Sequence, residues 1–281
     1  MNTIKLVFLL ASMTGILILV GSLVAGRLGA LGALVVAAVM NFGSYWYSDS
    51  LILKMYQARE VSETQAPEVY AAVKNLAARA QLPMPRVYTI PEASPNAFAT
   101  GRDENHAAVA VTDGMVKILN RQELEGVIAH ELSHVKNRDT LIASITATIA
   151  GAIVMVATVA KWGALFGSDT GEGSSLGAIV TAVVAPIAAT IIQMAVSRSR
   201  EYLADEGGAQ VAGSPYGLAS ALGKLAKASR SVPLDANPST AHIFIVNPLS
   251  NTFVMNLFST HPPVEKRIER LLKITLKTEL Q

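Results

Sequence analysis

Residues 130 to 134 read His130-Glu131-Leu132-Ser133-His134. On an α-helix, side chains four positions apart sit one turn above each other on one face, so two such imidazoles converge on one point. Zinc takes neutral imidazole nitrogens at about 2.0–2.1 Å in a tetrahedral shell, and a catalytic site leaves one corner of that shell to water. Glu131 falls beside the open corner, where a carboxylate can take a proton from that water. His130 and His134 are therefore candidate metal ligands and Glu131 a candidate base. The bland alternative is a helix that carries two surface histidines.

The chemistry requires a helix here, and the flanking sequence predicts one. Asn120 reads as its N-cap and Glu123 as the reciprocal capping residue. Leu124, Val127, Ile128, Leu132 and Val135 then form an apolar stripe at helical spacing. The same helix is expected to run on into the apolar stretch that begins at Leu141, which would put the metal about 10 Å from the start of that stretch, at about 1.5 Å per residue.

That stretch is one of four. With 51% hydrophobic and 16% charged residues the chain is too apolar for an ordinary soluble protein. The apolar residues collect in Leu6–Ala25, Leu28–Tyr47, Leu141–Ala160 and Leu176–Val196, each free of charge and each about 20 residues, long enough to cross a bilayer as a helix. The last two are rich in Ala, Gly and Thr, so a buried helical hairpin is the alternative for them. A second span directly after the first favours an uncleaved anchor over a secretory signal. Lys5, Lys54, Arg59, Lys136, Arg138, Arg198 and Arg200 are expected on the histidine side of these spans, against Arg27 and Lys161 on the other, so the histidine side should be cytoplasmic. The resulting division is a hairpin of spans over 1–48, a cytoplasmic part with the histidine helix over 49–140, a second hairpin over 141–196, and a second cytoplasmic part over 197–281. The chain has no cysteine, which excludes disulfides, thiol catalysis and cysteine-type zinc sites. A net charge of +2, with basic and acidic residues mixed, gives no sign of nucleic-acid binding.

A second hairpin would return the chain beside the histidine helix just after Val196, where it reads Ser199-Arg200-Glu201-Tyr202-Leu203-Ala204-Asp205. Glu201 is the natural third ligand, and Asp205, one helical turn on, can accept the distal N–H of a ligating imidazole. The alternative is an acid pair neutralised by Arg198 and Arg200. Of the other histidines, His106 reads as a strand-end residue and His242 lies in a stretch with no readable structure. His261-Pro262-Pro263 starts a helix that continues through Arg267. A donor there could face an oxyanion, or His261 and Arg267 could be a helix-start histidine and a surface arginine. Pro85–Ile90, Ala97–Gly101 and Ala107–Thr112 predict a small sheet, Ala66–Gln81 and Pro215–Ser229 amphipathic helices, and 231–251 a loop.

Together, Asn96-Ala97-Phe98-Ala99-Thr100-Gly101, Ala108–Thr112, Ala129–Val135, Ser199–Asp205 and Thr260-His261-Pro262-Pro263 with Arg267 resemble the HtpX group of membrane zinc metallopeptidases, relatives of the CAAX prenyl endopeptidases and the minigluzincins. The resemblance implies a mainly α, multi-pass membrane protein with four transmembrane helices and a cytoplasmic, gluzincin-like α+β metallopeptidase domain. It implies one zinc ion on His130, His134 and Glu201, Glu131 as base, Asp205 as orienting carboxylate, and His261 and Arg267 as substrate-side and transition-state residues. It gives Asn96, Ala97 and Phe98 a place on an edge strand along which substrate would lie. It further implies proteolysis of damaged membrane proteins at the bacterial inner membrane as part of a stress response, with protein substrates and the lipid bilayer as partners. Two other classes fit less well. A small transporter would carry ionisable groups in its spans, and these have none; a non-catalytic zinc-binding membrane adaptor would need the ligands but not Glu131.

Overall fold

The computed structural model describes residues 2–148, 198–231, 243–245 and 262–278. The expected spans Leu141–Ala160 and Leu176–Val196 therefore lie, apart from 141–148, outside the described residues, as do His242 and His261.

Helix α1 covers Asn2–Met55, yet it is not straight. Gly26 has φ +58°, a left-handed conformation that glycine adopts without a Cβ penalty. The Asn41 side-chain amide donates to Thr14 Oγ1 at 3.0 Å, two residues that a straight helix would hold about 40 Å apart. The chain thus doubles back near Gly26 and its two apolar runs lie side by side. Gly26–Met55 is long and apolar enough to cross a membrane, and only 11% of its most apolar window is buried within the protein. Leu28, Val35, Val39 and Phe42 on it are each more than 60% exposed, a surface that water would not tolerate over such a length.

Beyond α1 comes a four-stranded sheet of order β1-β2-β4-β3, built from β1 (Arg59–Glu60), β2 (Arg86–Ile90), β3 (Ala97–Gly101) and β4 (Ala107–Thr112). β2 and β4 run parallel, while β1 on β2 and β3 on β4 are antiparallel. The three longer strands match the sequence expectation; β1, only two exposed residues, carried no signal. Every residue of β4 is buried. Val109 and Val111 face one core with Val87, Ala97 and Ala99, and Ala108 and Ala110 face the other with Tyr88, Ile90 and Phe98. A strand covered on both sides reads as a continuous apolar run, which is why Ala107–Thr112 has so little polar alternation.

The first core is closed by helices. α2 (Pro67–Ala80) opens with proline in its first turn and ends at Gln81, φ +60°, and it buries Val69, Val73, Leu76 and Ala77. After the short α3 (Asp113–Ile118) comes the histidine helix α4 (Arg121–Lys136). Its capping box is formed as read from sequence: Asn120 Oδ1 accepts from the Glu123 amide at 3.0 Å and Glu123 Oε2 from the Asn120 amide at 2.9 Å. Glu123 also accepts from Lys224 at 2.7 Å and Ser220 at 2.7 Å, tying the start of α4 to a later helix.

The expectation that α4 runs unbroken to Leu141 is corrected here. It stops at Lys136, Arg138 turns left-handed at φ +57°, and a separate helix α5 occupies 139–148. α6 (Arg198–Ala212), α7 (Tyr216–Ser231) and α8 (Val264–Thr278) complete the described helices. Two glycines allow α4 to be gripped on both sides. A Cβ on Gly126 would fall 2.5 Å from the Leu218 amide nitrogen of α7, and a Cβ on Gly208 of α6 would fall 2.9 Å from the backbone of His130.

The second contact carries a prediction. Gly208→Ala has only backbone to push against and is expected to destabilise the protein by about 1–3 kcal/mol. At neighbouring Gly207 a Cβ meets the movable Ser133 side chain at 3.0 Å, so Gly207→Ala should cost clearly less. Thermal unfolding of the two variants in detergent compares them directly, and equal losses would contradict the account.

Candidate metal centre

Helix α4 presents His130 and His134 on one face, and α6, held close by Gly208, brings Glu201 against them. The two imidazole Nε2 atoms lie 3.2 Å apart. Glu201 Oε1 is 3.5 Å from His134 Nε2 and its Oε2 is 3.8 Å from His130 Nε2. A tetrahedral shell with bonds of about 2.0–2.1 Å spaces adjacent donors by about 3.3–3.4 Å, so the three side chains are set at metal-binding spacing. Their donor atoms all fall within 4.8 Å of one another, and among the described residues they are the group that could hold a metal ion. Two imidazoles and one carboxylate are a donor set suited to zinc-like divalent cations.

Each histidine is turned by a carboxylate on its far nitrogen. His130 Nδ1 lies 3.0 Å from Asp205 Oδ1, the contact expected for Asp205. Arg267 grips the same carboxylate with two nitrogens, Nε at 2.9 Å and Nη2 at 2.7 Å, and donates through Nη1 to the Ile245 carbonyl at 2.9 Å. Arg267 is 0% exposed. It lies beside the donor set, with Nη2 3.3 Å from His130 Nε2 and Nη1 3.7 Å from Glu201 Oε2, although it is not among the residues that line the cleft in front of the donors. His134 Nδ1 faces Asp139 Oδ2 at 3.2 Å. Sequence reading missed Asp139, because five residues on a continuous helix rotates a side chain by about 140° away from His134. The left-handed turn at Arg138 removes that separation; Asn137-Arg138-Asp139, a polar break just before the apolar run, was the available signal.

Glu131 is 3% exposed and its Oε2 accepts the amide N–H of Ala99 on β3 at 2.9 Å. β3 is an edge strand, as expected, and the alternation of its ladder decides which groups point outward. The Thr112 amide donates to the Asn96 carbonyl at 2.9 Å, so Asn96, Phe98 and Thr100 turn their backbone groups towards β4, and Ala97, Ala99 and Gly101 turn theirs away. Three of the outward groups have partners within the chain. The Ala97 amide donates to Asn96 Oδ1 at 3.1 Å, the Ala99 amide to Glu131, and the Gly101 carbonyl accepts from Thr140 Oγ1 at 2.9 Å. The Phe98 side chain is fully buried, 5.6 Å from the ring of Phe244 and 6.0 Å from that of Tyr56. Ile243, Phe244 and Ile245 line the same cleft as Glu131.

The electrostatics follow from burial in a crowd of charges. Burial drives the His130 pKa down to about 4, with the Arg267 charge adding to the fall and Asp205 opposing it, so its imidazole is neutral at physiological pH. Burial also presses on His134, but the hydrogen bond to Asp139 and the charges of Glu201 and Glu131 overcome it and raise the pKa to about 9. Burial lifts Glu131 to about 7, with Glu201 adding to the rise and His134, the Ala99 amide and Arg267 restraining it. Asp205 is lowered despite its burial, held ionised by Arg267 and His130.

This arrangement, two imidazoles and a carboxylate around one point with a second carboxylate poised beside it against a sheet edge, is that of a metallopeptidase. The family model "Peptidase family M48" matches residues 63–275. A protease HtpX homolog of Desulforapulum autotrophicum is 57% identical over 275 residues, 96% of this chain and 89% of the relative. One from Pyrococcus furiosus is 54% identical over 273 residues, 96% of this chain and 94% of the relative. The crystal structure of S. mikatae Ste24p superposes with a TM-score of 0.50 at 17% identity, covering 96% of this chain but 65% of that longer one, and shares its fold. The chain belongs to peptidase family M48 and is a metalloprotease.

With a pKa of about 9, His134 is protonated in the metal-free protein at pH 8, whereas His130 and Glu131 are not. A metal ion must displace that proton, since only neutral imidazole ligates. Metal uptake at pH 8 is therefore expected to release about one proton per ion, and apparent affinity to rise about tenfold per pH unit up to about pH 9. Titration calorimetry in buffers of different ionisation enthalpy counts the protons; none released would contradict the assignment.

Proposed function

We propose that the chain is a zinc-dependent endopeptidase of the bacterial inner membrane that cuts misfolded or damaged membrane proteins on the cytoplasmic side. The observation that carries the reading is the convergence of His130, His134 and Glu201 beside Glu131, with Glu131 touching the outward edge of β3. Membership of the M48 family, the protease names of its relatives and the exposed apolar face of Gly26–Met55 support it.

His130, His134 and Glu201 would hold the zinc ion, which would supply a Lewis acid to lower the pKa of water towards about 7 and polarise the scissile carbonyl. Glu131, pushed up to about 7, is matched to take a proton from the attacking water and return it to the amine nitrogen as the peptide bond breaks. Ala97 and Ala99 carry the outward-facing main-chain groups of the strand that starts at Asn96, so a substrate backbone adding to this edge would bond to those two residues. Asn96 and Phe98 set the strand in place, Asn96 through Thr112 and Phe98 through Tyr56 and Phe244. A substrate carbonyl that took over the Ala99 amide would free Glu131 Oε2 to face the water. His261 is assigned as a donor to the developing oxyanion. Arg267 acts through Asp205 and His130 and is a positioning residue.

Cleavage of casein by the detergent-purified chain, with bound zinc quantified, tests this reading. Glu131→Gln should retain zinc and lose about 10²–10⁴-fold in rate, while His130→Ala, His134→Ala and Glu201→Ala should lose zinc and activity together. A Glu131→Gln protein that cleaves as fast as wild type sinks the proposal. Zinc bound by a wild type that cleaves nothing would point instead to a non-catalytic zinc-binding adaptor.

A further inference from the structure

We infer that Asp139 and Arg200 form a positioning pair for His134, the counterpart of Asp205 and Arg267 at His130; the inference rests on the metal-site reading above. His134 offers its Nε2 to the metal position, so its Nδ1 must carry the proton and needs an acceptor. Asp139 Oδ2, 3.2 Å away, is that acceptor. Its other oxygen, Oδ1, accepts from Arg200 Nη1 at 3.2 Å. Both side chains are nearly out of water, 7% and 11% exposed. A carboxylate buried with one oxygen on an imidazole and one on a guanidinium has little freedom to turn, and that fixes the imidazole plane.

Two further observations separate this pair from an ordinary surface ion pair. Arg200 is the residue before Glu201 on α6, so the pair joins the turn that follows His134 to the helix that carries the third ligand. It therefore governs the approach of His134 Nε2 to Glu201 Oε1, now 3.5 Å. The turn itself requires a left-handed conformation at Arg138, φ +57°, which is unfavourable for a residue other than glycine. That turn is what brings Asp139 back over His134. Thr140, the next residue, donates to the Gly101 carbonyl at 2.9 Å, so the turn is pinned to the end of β3 as well.

The test uses the full-length, detergent-purified chain stripped of metal. Zinc affinity is measured by chelator competition, the visible absorption of the cobalt-loaded protein reports ligand geometry, and the melting temperature of the metal-free form reports folding. Asp139→Ala is expected to weaken zinc binding by about 10–100-fold and to alter the cobalt spectrum. Asp139→Asn keeps an acceptor oxygen but no charge and should fall between it and wild type. Arg200→Gln should weaken binding in the same direction, and Asp139→Asn/Arg200→Gln should be less than additive, because the arginine acts through the carboxylate. If Asp139→Ala does not fold, Asp139→Asn decides. Zinc affinity and cobalt spectrum within twofold of wild type in Asp139→Asn and Arg200→Gln would overturn the inference, as would a lowered metal-free melting temperature with unchanged affinity. His134→Ala is the control. If it loses zinc while the Asp139 variants do not, the pair fails and the metal site stands; if wild type binds no zinc, both fall.

Discussion

The bidentate contact between Arg267 and Asp205 is the interaction on which the site most depends. It joins α8 to α6, and through Asp205 to His130 on α4, while a third donor of the same guanidinium holds the Ile245 carbonyl. Four separated pieces of chain thus meet at one fully buried charge. The centre gathers the carboxylates of Glu131, Glu201 and Asp205 where little water reaches, and a cluster of like charges in such a place repels itself strongly. A buried arginine is affordable there because each of its three nitrogens donates to an acceptor, two to Asp205 and one to the Ile245 carbonyl; removing either partner of such a pair leaves an unpaired buried charge, at about 3–5 kcal/mol.

Around that contact the backbone is arranged to let helices come closer than side chains normally permit. The Glu201 helix reaches His130 because Gly208 has no Cβ, and the start of α7 reaches α4 because Gly126 has none. On the opposite side the sheet presents small residues, Ala97 and Ala99, to the same core. Close backbone approach on both sides confines the metal donors to a narrow cleft, and confinement rather than any single group sets the acid–base properties. Burial is the largest influence on His130, Glu131 and His134, and the charged neighbours then determine in which direction each finally moves.

Much of this was legible in the sequence. The histidine motif, its capping box and its apolar stripe specified α4 to within a residue at its start, because each rests on local spacing. Three strands were found from composition, since buried strands of Val and Ala bounded by turn residues leave a clear trace. Glu201 was chosen because a second hairpin would return the chain beside the histidine helix just after Val196, and Asp205 because it lies four residues further on the same helix face. β1 was missed because two exposed residues have no periodicity, and α3 because its six residues are too few to show one. The role of Arg267 was read only in outline, since its partners come from three other segments and no local pattern encodes them.

Asp139 shows why a site's outer layer escapes sequence reading. Extended in register, α4 would carry Asp139 to a face remote from His134; the actual contact exists because the helix stops at Lys136 and a left-handed residue redirects the chain. A strong helix pattern running towards an apolar stretch masks that stop, and the polar break Asn137-Arg138-Asp139 is its one trace in the sequence. The ligands themselves obey helix geometry, so they are visible as spacing. The groups that orient them lie where helix geometry is broken, and they become visible only when the path of the backbone is known. Where a metal motif is followed closely by an apolar segment, the polar residues at the junction are thus the first place to look for the missing partner of the second histidine.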